Sequence, residues 1–199
     1  MKSYYKLALA TSITLNILFV SFFIGKRFYY SHQDYIKTLT TPTNDSIITY
    51  SINKYKNNEA QLRLFKILPH SKDDIVFVGT SLTQGFPLQE FFTNTHLKNR
   101  GIGGNTVTDI QARIGEVIAG KPHKIFLEMG TNDIGTGVAI DTVYKKLIAL
   151  IRAIKSGTPA TKLYVHAVLP FAKNYTQKVK AYNAKVAGFC KMNNIPNPF

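Results

Sequence analysis

The chain has 199 residues, 45% of them apolar, and 25 Lys and Arg against 11 Asp and Glu give a formal net charge of +14. That length holds one domain with a short extension, and the apolar content excludes a disordered chain. The single cysteine, Cys190, excludes an intramolecular disulfide and any metal site built on paired cysteines.

The charge admits a nucleic acid, an anionic membrane surface or an acidic ligand as partner. The Lys and Arg are scattered, with no basic run interleaved with aromatics, so a solvated basic surface is the first reading. A membrane surface comes second, and no nucleic-acid partner is expected.

Leu7 to Gly25 (LALATSITLNILFVSFFIG) is nearly continuous in its apolar character and close to the ~20 residues that cross a bilayer as a helix. Lys2, Lys6, Lys26 and Arg27 flank it, with Tyr4, Tyr5, Tyr29 and Tyr30 at its ends, as interfacial anchoring favours. No small-residue cleavage site closes the run, so residues 1–30 read as an uncleaved N-terminal transmembrane anchor. Positive charge on both flanks leaves the orientation open, and an export context places the following domain on the periplasmic or extracytoplasmic side.

Residues 31–70 read as a linker, rich in Thr, Pro and Asn, and a leading helix. That helix runs from Tyr50 to Leu68, with Ile52, Tyr55, Leu62, Phe65 and Leu68 at near-helical spacing and Pro69 ending it. From residue 71 to 199 strands and helices alternate. Strands are expected at Ile75 to Val78, Leu97 to Arg100, Lys124 to Glu128 and Lys162 to Val168. Helices are expected at Phe86 to Phe92, Thr106 to Ala119, Ile140 to Lys155 and Tyr175 to Met192, the last burying Cys190 as a small hydrophobe. Apolar strands alternating with helices imply a parallel sheet covered on both sides, with ligands at the carboxyl ends of its strands.

Three glycine-bearing loops follow strands: Gly79 to Thr83, Asn99 to Thr106 and Gly130 to Asp133. Acyl transfer needs a hydroxyl exposed on a rigid turn, and Ser81 fits. It also needs donors aimed at the oxyanion, and the Gly104 N–H and the Asn132 amide fit. Taken singly, each loop reads as an ordinary turn or helix cap. Three in succession after three strands read as one site.

The strings IVFVGTSLTQGF, NRGIGGNT and GTND, in that order, resemble the sequence blocks of the SGNH (GDSL-type) hydrolase family. The resemblance implies a flavodoxin-like three-layer α/β/α fold, Ser81 as nucleophile, Gly104 and Asn132 as oxyanion donors, and neither metal nor organic cofactor. It implies a serine-dependent carboxylester hydrolase acting on a small acyl ester, such as an O-acetylated sugar or a lysolipid. Two departures are visible. Thr80 stands where the first block usually has Asp, and no Asp-x-x-His string, the family's source of base and orienting carboxylate, occurs in the chain. The sequence therefore reads as a hydrolase domain incomplete at its C-terminus and impaired in activity, with a catalytically inactive, membrane-tethered carbohydrate- or lipid-binding module as the alternative. Of the five histidines, His166 is the least unfavourable substitute base, although its place within the fourth strand suits a core residue better.

Overall fold

The computed structural model describes residues 58–198. The expected anchor at 7–25, the linker and the first part of the leading helix lie outside the described residues. Among the described residues no helix is long and apolar enough to cross a membrane.

The leading helix appears as α1 (58–67), whose Phe65 is buried with the Arg100 guanidinium 4.7 Å from its ring centre. Four strands follow: β1 (Ile75–Gly79), β2 (Leu97–Gly101), β3 (Lys124–Leu127) and β4 (Lys162–Val165). They form one parallel sheet in the order β2-β1-β3-β4, the first four positions of a flavodoxin-like sheet. Parallel neighbours need crossovers, and each is helical. Short helices α2 (Ser81–Gln84) and α3 (Leu88–Phe91) join β1 to β2. The longer α4 (Val107–Gly120) joins β2 to β3. Then α5 (Thr131–Gly135) and α6 (Ile140–Gly157) lead to β4, and α7 (Thr176–Met192) follows it.

Side chains alternate across a strand, and here the two faces differ in cover. Val76, Val78, Ile125, Leu127, Leu163 and Val165 are buried in one cluster with the apolar stripes of α4, α6 and α7. Val107, Ile110, Ile114 and Val117 of α4 lie there, as do Leu147, Ile151 and Ile154 of α6, and Val179, Val186 and Cys190 of α7. The opposite face presents a stacked ladder, Phe77 on Phe126 at 4.8 Å and Phe126 on Tyr164 at 4.6 Å. These rings are only half-buried. Helices thus flank both faces, as expected, but among the described residues the aromatic face is covered only in part. Over this face α2 and the turn after it are held above β2, where Asn99 Nδ2 donates to the carbonyls of Thr83 (2.6 Å) and Phe86 (3.1 Å).

Three local readings also change. Ser81–Gln84 and Thr131–Gly135 are short helices, not loops. The expected helix from Phe86 begins only at Leu88, behind Pro87. β4 ends at Val165, so His166 lies just past it.

Candidate active site

At the carboxyl end of β1, Thr80 is buried and Ser81, the first residue of α2, is exposed. Thr80 is pinned from below: its hydroxyl donates to Glu128 Oε2 at 3.1 Å, and its N–H reaches the same oxygen at 3.5 Å. Glu128 also accepts from the Thr131 hydroxyl at 3.4 Å, so one carboxylate ties the first loop to the third. Burial pushes its pKa up, with the Thr80 hydrogen bonds opposing.

The second loop closes over Ser81. Gly103 N–H donates to Gln84 Oε1 at 2.8 Å, and a Cβ placed on Gly103 would stand 3.7 Å from the Ser81 Cβ. Gly104 takes φ +73°, the left-handed region that glycine enters without steric cost. Asn105 is buried and accepts from Arg113 Nε at 2.8 Å, while Arg113 Nη2 reaches the Gly79 carbonyl at 3.3 Å. Burial lowers the Arg113 pKa to about 10, which leaves it charged at neutral pH. One guanidinium from α4 therefore braces both the first and second loops.

The third loop meets the second through Asn132. Its Nδ2 donates to the Asn105 carbonyl at 2.8 Å, and since that nitrogen carries two hydrogens, the contact also fixes the direction of the other. Asp133 is buried, and its Oδ2 accepts from the Val107 N–H at 3.0 Å, which holds the start of α4 to the third loop. Burial raises its pKa. Thus Ser81, the Gly103–Gly104 turn and Asn132 come together on one rim. Glu128 and Arg113, which with Asp133 of the third loop tie that rim together, were not singled out from sequence. Their signal was present: a carboxylate closing an apolar strand, and an Arg among the apolar positions of α4.

Beside α2, on the aromatic face of the sheet, lies a groove of ≈ 360 Å³ lined chiefly by Phe77, Leu82, Phe86, Phe126, His166 and Leu169, with Glu128 at its wall. His166 stands 5.7 Å from the Phe126 ring, and burial lowers its pKa. His70, His96 and His123 precede β1, β2 and β3, at the entry ends of the strands. Among the described residues no group of His, Cys, Asp and Glu is arranged to hold a metal ion.

Residues 77–196, more than half of the chain, match the GDSL-like lipase/acylhydrolase family. The chain belongs to that family. It is on that ground an ester hydrolase of GDSL type. Solved structures of the same fold include a GDSL-like lipase from Bacteroides thetaiotaomicron, at 24% identity and TM-score 0.61, covering 72% of this chain and 76% of that one. A Bacteroides fragilis protein assigned as an acylhydrolase matches at 24% identity and TM-score 0.61, over 70% and 74% of the two chains. A Streptococcus pneumoniae protein assigned as a platelet activating factor matches at 24% identity and TM-score 0.64, over 79% and 80%. At this identity the GDSL-type structures establish shared fold alone. None of the curated proteins compared with the chain matches it.

Proposed function

We propose that this GDSL-type hydrolase uses Ser81 as nucleophile and takes esters whose acyl part is apolar. The observation that carries the reading is the convergence of three loops from three strands, joined by the Gln84–Gly103 and Asn132–Asn105 hydrogen bonds. Ser81 Oγ attacks the ester carbonyl carbon, and the carbonyl π pair moves onto oxygen. The Gly104 N–H and the Asn132 amide donate to that oxyanion, and loss of one such donor typically costs about 2.7–4 kcal/mol of transition-state stabilisation. The intermediate collapses to an acyl-serine as the alcohol leaves, and water then releases the acid. The proton of Ser81 needs a base. The Asp-x-x-His block that supplies it in the family does not occur in these 199 residues, so the assignment stops at the nucleophile and its two donors.

The groove beside α2 favours a hydrocarbon acyl group over acetyl, because its lining is aromatic and aliphatic. The apolar run at 7–25, close to the length that crosses a bilayer, supports a single-pass N-terminal anchor ahead of the hydrolase domain of residues 71–199. The extracytoplasmic placement of that domain rests on the export context such anchors usually have, since the charges flank both ends alike.

The test is labelling of the full chain with an alkyl fluorophosphonate, followed by mass spectrometry. The adduct is expected on Ser81 and absent from Ser81→Ala. Labelling that persists undiminished in Ser81→Ala sinks the assignment.

A further inference from the structure

Positive charge is divided very unevenly along the described residues. Residues 58–141 hold eight Lys and Arg against nine Asp and Glu, whereas residues 142–198 hold ten Lys and Arg and no acidic residue at all. A generally basic surface would not divide this way.

The fold gathers these cations on one side. α6 and α7 bury their apolar stripes against the same sheet face and pack beside each other, so their polar sides turn outward together. Lys145 and Arg152 lie seven residues apart on α6, as Lys178 and Lys185 do on α7. That spacing is two turns, which aligns each pair along the helix. These four are exposed, as are Lys180 and Lys191. Lys185 Nζ links the two helices, 3.1 Å from Asp141 and 5.8 Å from the Tyr144 ring centre, and that ion pair offsets one of these cations where the two faces meet. Asp141, at the start of α6, is the last acidic residue in the chain.

We propose that the outer face of α6 and α7 docks on an anionic lipid bilayer. The geometry is two adjacent helix faces and not a groove that tracks a strand. Nearly all its charges are Lys, compact point charges suited to a fluid surface of phosphates, and not the Arg forks that read bases. Each such cation near an anionic bilayer contributes about 1 kcal/mol, or roughly fivefold in affinity. The docking leaves the aromatic groove, which lies on the opposite face of the sheet, turned away from the lipid. Substrate then arrives from the aqueous side.

The experiment uses the full chain with vesicles of phosphatidylcholine alone or mixed with phosphatidylglycerol, and follows lysine acetylation by a soluble reagent with mass spectrometry. Lys145, Lys178, Lys180 and Lys191 are expected to react several-fold more slowly on the anionic vesicles, while Lys66 and Lys72 keep their rates. High salt should abolish the difference, because exposed charges are screened within a few ångströms near 1 M. Lys178→Glu with Lys180→Glu should remove the protection of Lys145 and leave Ser81 labelling unchanged. Equal rates on both vesicles overturn the proposal, as does protection by duplex DNA without protection by anionic vesicles. Ser81 labelling is read in the same samples, so failure of the docking and failure of the esterase reading are told apart.

Discussion

Thr80 stands where the family's first block usually has an aspartate, and in this chain it meets the Glu128 carboxylate. The Glu128 carboxylate is largely enclosed and needs donors, and Thr80 gives it a hydroxyl and an N–H. An Asp at 80 would place a second carboxylate against it, and like charges at that range disfavour ionisation of both. Thr80→Asp is therefore expected to cost about 1–3 kcal/mol at pH 7, the usual penalty for an unsatisfied buried polar contact. Glu128→Gln in the same background should recover most of that, because it removes one charge and keeps an acceptor. Thermal unfolding of the two single variants and the double variant checks this, and simple additivity would refute the coupling. The pH dependence has a definite sign. Burial raises the folded-state pKa of Glu128 above its unfolded value, so the folded state holds its proton more tightly. That contribution is lost as pH climbs from the unfolded carboxylate range through the folded value. Glu128→Gln should flatten the corresponding fall in stability.

At the scale of elements, the second loop is firm because α4 begins firmly. Thr106 caps that helix in a reciprocal box: Asp109 N–H donates to its hydroxyl oxygen at 3.3 Å, and Thr106 N–H donates to the Asp109 carboxylate at 2.8 Å. Thr106→Ala should cost about 1 kcal/mol in urea unfolding, as N-cap losses do. Asp109→Ala should cost more on top of it, because the backbone N–H of residue 106 still donates to the Asp109 carboxylate when the hydroxyl is gone. Because Thr106 directly follows Asn105, whose carbonyl holds Asn132, the same variant should slow Ser81 labelling. The long elements were legible in sequence. Ile110, Ile114 and Val117 marked α4 by their spacing, and Ile75 to Val78 marked β1 by its unbroken apolar run. The short helices α2 and α5 were not, since four or five residues carry no period to detect. The blocks around Ser81, Gly104 and Asn132 could still be found there, because they depend on residue identity and order. Arg113 was the harder case: its helical position predicts burial, and only the fold reveals that Asn105 and the Gly79 carbonyl await it.

Among the described residues the two faces of the sheet are covered unequally. Three long helices cover one face of the sheet, and the other carries two short helices above β2 and a half-open aromatic ladder across β1, β3 and β4. The sequence could not announce this, because Phe77, Phe126 and Tyr164 read as core whether or not anything lies on them. The exposed face has a chemical consequence where it runs up to α2, for Leu82 and Phe86 sit immediately beyond Ser81 in the chain and line the groove. An acyl chain entering it from an ester at Ser81 buries methylene groups one by one, each contributing about 0.8 kcal/mol, or roughly fourfold in kcat/KM. Across a series of nitrophenyl esters the specificity should therefore climb from acetate to medium-length chains and then level off once the groove is full. Phe86→Ala should lower the slope and spare the acetate, because it widens the groove without touching the rim. A flat series with the acetate still hydrolysed would show that the acyl group lies elsewhere while Ser81 keeps its role.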